Sequence, residues 1–191
     1  MTKKKKPSSK VKFPSPLYVD VGCGPHKKEG YLGLDLIAQP GVDIVADVEK
    51  DGLPFSDGTV DKIYMSHFLE HVNDPAKMLN EVNRVLKDGG EVTIIVPHYS
   101  NPYAYHFTHK SFWSYYAFEP EYLDYYLQNG LVLKSRKLRI VLLPGLDTLF
   151  NWFANQFPGI YERLFSGILK AWEVQFVLEK NAHKKTYTTL H

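Results

Sequence analysis

Apolar residues in the first half of the chain fall in short runs, each closed by an acidic residue or a glycine. Leu17 to Val21 carries Asp20 and breaks at Gly22-Cys23-Gly24. Tyr31 to Leu34 ends in Asp35, and Asp43 to Ala46 ends in Asp47. Val60 to His67 follows a Ser-Asp-Gly turn. Runs this short, bounded by turn residues, predict buried parallel strands. The period then changes. Asp74-Pro75 reads as an N-cap with proline at the first helical position. Leu79, Val82, Val85 and Leu86 recur at helical spacing, and Gly89-Gly90 is expected to stop that helix. Glu91 to Val96 is rich in β-branched residues and predicts a fifth strand. Glu119-Pro120 opens a further helix that should end at Asn129-Gly130. Leu131 to Leu143 predicts a long sixth strand, bent near Arg136. Ala171 to Lys180 alternates apolar and polar residues, as a half-buried antiparallel seventh strand does. The pattern is that of an α/β chain with a seven-stranded, mostly parallel sheet, an antiparallel seventh strand and helices on both faces.

Parallel strands of an open α/β sheet deliver their carboxyl ends to one edge, where ligands bind. Asp20, Gly22, Gly24, Asp35 and Asp47 all fall at that edge. Gly22 and Gly24 remove side chains where a ligand approaches the backbone. Asp35 is placed to accept hydrogen bonds from a ribose diol. A dinucleotide site would need a third glycine and a helix whose N-terminus holds a pyrophosphate. Here Pro25 follows at once, and basic residues replace the small residues that open such a helix. Only Pro25 to Gly30 separate the glycine turn from the second strand. A crossover helix takes a dozen residues or more, so a stub or loop is expected, with the C-terminal helices or the Tyr/His segment covering the exposed sheet face.

The D-x-G-x-G turn, the spaced Asp35, and the run from Asp47-Val48 through Leu53-Pro54-Phe55 to Ser66-His67 and Glu70-His71 resemble the class I S-adenosylmethionine-dependent methyltransferases. The resemblance covers about residues 17–97. It implies a Rossmann-like fold, S-adenosyl-L-methionine as cofactor and a methyl-transfer activity. It further implies a cofactor site of Asp20, Gly22, Cys23, Gly24, Asp35, Leu36, Asp47, Val48, Ser66 and His67. In it Asp47 and Val48 flank the adenine, and Ser66 and His67 line the methionine end.

Composition narrows the picture. The 191 residues suffice for one domain with a sizeable core. Net charge is only +2, which gives little general pull toward nucleic acid. The lysines crowd the first dozen residues among prolines and serines, so 1–16 reads as a solvated basic tail and 181–191 as a second tail, flanking a domain over 17–180. No apolar region follows those lysines as in a secretory signal. The single cysteine, Cys23, fits a reducing compartment, and a cytoplasmic location is expected.

Two insertions, 97–126 and 144–170, are expected to carry acceptor specificity. The first is rich in Tyr, Trp and His and starts at the ligand edge. His98, His106 and His109 are candidate bases or acceptor-positioning groups. The same histidines raise the question of a metal, as do His67 and His71, four apart. Cysteine ligands are absent and the spacing matches no common finger, so no metal site is expected, with Glu70 and His71 tying the loop after the fourth strand. The second insertion is strongly apolar and broken by Pro158-Gly159; its two helices either pack on the domain or meet a lipid surface. The expected acceptor is a small-molecule, glycan or lipid-linked compound. The alternatives are a catalytically silent cofactor-binding scaffold and, more weakly, an RNA methyltransferase.

Overall fold

The structure, a computed structural model, describes residues 15–126, 130–142 and 146–181. The basic tail expected over 1–16 and the tail over 181–191 fall almost wholly outside the described residues.

Seven strands form one sheet: β1 (Tyr18–Val21), β2 (Leu32–Asp35), β3 (Ile44–Val45), β4 (Val60–Ser66), β5 (Leu86–Pro97), β6 (Leu131–Ile140) and β7 (Ala171–Lys180). Their order is β3-β2-β1-β4-β5-β7-β6, parallel throughout except for β7, which runs antiparallel to both β5 and β6. The order reverses between β1 and β4, so the ends of these two strands flank a crevice. Val19, Val21, Ile63, Met65, Val92, Ile94 and Val96 are buried in the middle of the sheet. Both faces of these central strands are covered, which is why their sequences read as apolar runs.

Helices are few. α1 (Val48–Asp51) is a single turn capped by Asp47, whose Oδ1 accepts from the Lys50 N–H at 3.1 Å. α2 (Pro75–Val85) is capped by Asp74 and buries Met78, Leu79, Val82 and Val85. α3 (Pro120–Tyr126), α4 (Leu146–Gln156) and α5 (Pro158–Ile160) complete the set, and α5 runs on into a π-helical turn over Tyr161–Phe165. Gly89-Gly90 does not end α2, as had been expected. The helix stops at Val85 because Leu86 turns into extended backbone and pairs with Val60, so the glycines lie inside β5. β6 ends at Ile140, short of the expected Leu143, and its register shifts between Leu133 and Ser135, next to Arg136, and again between Arg139 and Ile140.

No helix forms between β1 and β2, as the short connection required. The cover expected there takes another form. α4 packs on β6, at the opposite edge of the sheet. Over β1 and β4 lies a tyrosine cluster instead: the Tyr18 and Tyr31 rings are 5.4 Å apart, Tyr31 and Tyr64 6.2 Å, and the Lys28 ammonium sits 4.3 Å from the Tyr64 ring centre. Half-buried tyrosines with a cation on their faces shield the sheet while tolerating water.

The two insertions are stitched together. His98 Nε2 lies 3.0 Å from Glu162 Oε1, the Tyr115 N–H donates to the same oxygen, and the Tyr99 hydroxyl donates to the Glu162 carbonyl. Among the described residues, no helix is long and apolar enough to cross a membrane.

Candidate active site

The carboxyl end of β1 carries the glycine turn. Gly22 has φ of 71° and Gly24 of 55°, both in the left-handed region that glycine enters without strain. A Cβ on Gly22 would overlap the Phe68 ring, so this position demands glycine twice over. The Gly22 N–H donates to the Leu34 carbonyl at 2.8 Å, which locks the turn against β2.

Asp35 then holds the turn from the other side. Its Oδ2 accepts from the Gly24 N–H at 2.9 Å and its Oδ1 from the Ile37 N–H at 3.0 Å. A carboxylate offers about four lone-pair positions, so each oxygen keeps capacity for a further donor. Leu36, beside it, is 62% exposed and offers an apolar surface at the rim. The Ala46 N–H donates to the Asp35 carbonyl, bringing Asp47 to the same edge.

Asp20 is 3% exposed, and its Oδ2 accepts from the Lys28 N–H at 2.7 Å. Burial pushes its carboxyl above the usual carboxylate range, against the pull of the Lys28 hydrogen bond and charge. The Cys23 thiol is pushed up to about 11 by burial and by the charges of Asp20 and Asp35. At neutral pH it is a thiol, donating weakly to the Gly24 carbonyl, and not a nucleophile.

A cavity of about 250 Å³ opens here, lined by Asp20, Gly22, Cys23, His26, Lys28, Tyr64 and Ser66. Four of its lining residues were expected from the sequence. His26, Lys28 and Tyr64 were not. Tyr64 was available in the pattern, because it lies two residues before Ser66 and therefore on the same face of β4. Asp47 and Val48 line a separate hollow of about 610 Å³ between α1 and α2.

His67 follows β4 with a left-handed φ of 53° and is not among the cavity-lining residues. Its Nε2 lies 3.3 Å from Glu173 Oε1 and its Nδ1 3.3 Å from Glu70 Oε1. Those carboxylates raise the imidazole to about 9, so it is a cation at neutral pH.

Of the three histidines of the first insertion, His106 and His109 come together, with ring centres 5.6 Å apart, while His98 is engaged with Glu162. His98 is fully buried. The Ser100 N–H donates to its Nδ1, which leaves the proton on Nε2 for Glu162, so both ring nitrogens are engaged inside the protein. His106 is exposed, with Nδ1 2.9 Å from Thr108 Oγ1. His109 donates from Nδ1 to the Ala104 carbonyl at 2.9 Å.

The donor set can be tested against a cofactor. Carboxylates at the rim suit a diol and a cation. A glycine turn with no helix behind it offers no phosphate cradle. These are the demands of S-adenosylmethionine, which carries a sulfonium, an ammonium and a ribose but no phosphate.

Residues 32–94 match the family model of the methyltransferase domain. They include β2 with Asp35 and all of β4. The match covers about a third of the chain and makes this stretch similar to the S-adenosylmethionine-dependent methyltransferases. The cofactor that goes with this match is S-adenosylmethionine. A demethylmenaquinone methyltransferase of Renibacterium salmoninarum is 33% identical over 88 residues, 44% of this chain. The match spans 36% of that relative's length. Among solved structures, the fold resembles a complex between the Haloferax volcanii Trm112 methyltransferase activator and a methyltransferase (TM-score 0.56, 19% identity, 87% of this chain and 83% of that one). It also resembles a SAM-dependent methyltransferase from Archaeoglobus fulgidus (TM-score 0.53, 17% identity, 85% of each chain). At these identities the likeness is one of fold.

Proposed function

We propose that the chain is an S-adenosylmethionine-dependent methyltransferase acting on a small-molecule, glycan or lipid-linked acceptor. The observation that carries this reading is the glycine turn held by Asp35 through the Gly24 N–H, with a cavity at its mouth lined by Asp20. The cofactor, when bound, supplies an already activated methyl group on a sulfonium. Asp35 would take the ribose hydroxyls with its spare lone pairs while holding the turn through Gly24. Leu36 and Val48 would give the adenine apolar contact, with Asp47 accepting from its exocyclic amine. Asp20, Cys23, Ser66 and the backbone at Gly22 and Gly24 would surround the methionine end. The acceptor must then be held in line with the methyl carbon and water excluded, which is a task of positioning.

His106 and His109 are the acceptor-side candidates of the first insertion; the engagement of both nitrogens of His98 fits positioning the insertion better than moving a proton. The relative named for demethylmenaquinone supports a small-molecule acceptor. An exposed apolar face over 146–168, with Leu149, Trp152, Leu164 and Ile168 each more than half exposed, supports a lipid-linked one.

Calorimetry with S-adenosylhomocysteine tests the site. Asp35→Ala should weaken binding by about 1–3 kcal/mol, the cost of leaving hydrogen-bonding groups unpaired. An unmodified chain that does not bind the compound would overturn the reading. Transfer from labelled cofactor across glycans, quinones and lipids then identifies the acceptor.

A further inference from the structure

Glu70 lies in the 3-10 turn over Leu69–His71, just past the end of β4. Its side chain is fully buried, yet neither carboxylate oxygen has a hydrogen-bond partner. His67 Nδ1 stands 3.3 Å from one oxygen, but without hydrogen-bond geometry. A buried carboxylate normally demands a full set of partners. The His67 cation supplies charge beside one oxygen but no hydrogen bond, so both oxygens keep lone pairs for a further positive ligand.

The neighbours of Glu70 are of the kind that hold one. The Lys110 N–H donates to the Glu70 carbonyl at 2.8 Å, which brings the first insertion against the turn. His71 and His109 meet there with ring centres 4.7 Å apart, edge to face. One ligand atom from each of Glu70, His71 and His109 lies within 4.8 Å of the others. Both imidazoles are already oriented through their second nitrogen. His71 Nδ1 faces the Thr108 carbonyl at 3.3 Å and His109 Nδ1 the Ala104 carbonyl at 2.9 Å. A carbonyl only accepts, so Nδ1 carries the proton in each ring and Nε2 keeps the lone pair. Metal-bound histidines are held in this way, by a second-shell carbonyl or carboxylate.

We propose that Glu70, His71 and His109 form a binding site for one divalent transition ion of the zinc class. Two imidazoles and one carboxylate select such an ion over calcium or magnesium, which take oxygen ligands. Metal–ligand bonds of about 2.0–2.2 Å place tetrahedral ligand atoms about 3.4 Å apart, so the three side chains draw together when the ion enters. Three protein ligands leave a fourth position open, as in zinc sites that bind water or substrate. The ion clasps the first insertion to the end of β4, one turn beyond cavity-lining Ser66. The sequence concealed the site because Glu70 and His71 are adjacent and His109 comes from another segment.

The test uses the full chain, stripped with a chelator and titrated with cobalt(II). One equivalent should bind and give visible ligand-field absorption, and zinc should displace it. His109→Ala and His71→Ala should each weaken binding more than tenfold, whereas His26→Ala should leave it unchanged. Glu70→Gln should do the same as the histidine variants if it folds. His109 is only half-buried, so its variant decides the matter if Glu70→Gln does not fold. A folded chain that retains no cobalt would overturn the proposal and leave His67 as the sole counter-charge of Glu70. So would a His109→Ala variant that binds as tightly as the unmodified chain, or equal loss in His26→Ala. None of these readings depends on methyl transfer or on the cofactor.

Discussion

Asp20 carries a cost in the folded chain. Its carboxyl is raised above the ordinary range because burial disfavours the charge, so ionising it costs more in the native state than in the unfolded one. Stability is therefore gained as pH falls from the folded value toward the unfolded one, the reverse of the usual carboxylate. Asp20→Asn keeps an oxygen to accept from the Lys28 N–H while removing the charge. It should raise the melting temperature at pH 7 and weaken binding of the cationic cofactor. A lower melting temperature would show that the charge supports the turn instead. Cys23, Gly22 and Gly24 make the complementary point. Gly22 makes room for the Phe68 ring and Gly24 takes up a left-handed φ with open space around it, while a Cys23 thiol pushed up to about 11 has no chemistry to offer there.

Among the elements, β6 has the least ordinary neighbour. It is an edge strand, and an edge leaves backbone groups unpaired. α4 answers with two asparagines one turn apart. Asn151 accepts from the Ile140 N–H and donates to the Ile140 carbonyl, both at 2.7 Å. Asn155 does the same to Leu138 at 2.8 and 2.9 Å. Asn155→Ala strips both bonds from a buried strand residue and should cost about 1–3 kcal/mol, measured by denaturant unfolding. A change below a few tenths would mean that water takes over. In the sequence these asparagines read only as polar breaks in an apolar segment, since pairing between a helix and a strand has no local signature. The strands were plainer. Each apolar run ending in Asp or Gly became a parallel strand, because burial on both faces leaves no alternation to confuse. The end of α2 was misread because Leu86 is claimed by Val60, a tertiary contact that outweighs the stop signal at Gly89-Gly90. At the site, Asp20 and Asp35 were legible from their places at strand ends. His26 and Lys28 were not, since an irregular loop decides where they point.

The molecule as a whole is held by carboxylates that prefer to stay ionised. Asp61 is lowered first by Lys87, which it meets at 2.6 Å, and then by the Leu17 N–H. Asp43 is lowered by Lys27 and by the Gly33 N–H, and Glu81 by Arg84. Arg84 also donates to the Leu53 and Phe55 carbonyls and to Asp57, tying the loop before β4 to α2. Depressed carboxylates contribute stability above their unfolded values, near 4, and lose it as pH falls through their native ones. Melting temperature should hold from neutrality to about pH 5 and then drop. Arg84→Met should lower it at pH 7 far more than at a pH below the native value of Glu81, where that carboxylate is neutral in either chain. An equal loss at both pH values would assign the role of Arg84 to packing alone.

The asparagine forks on α4 have a consequence for company. A foreign polypeptide approaching the β6 side finds the main-chain groups of Leu138 and Ile140 already spoken for, so it cannot enlist there as an eighth member of the ribbon. Any companion that settles on that flank must be recognised by what projects from α4, not by its own peptide bonds.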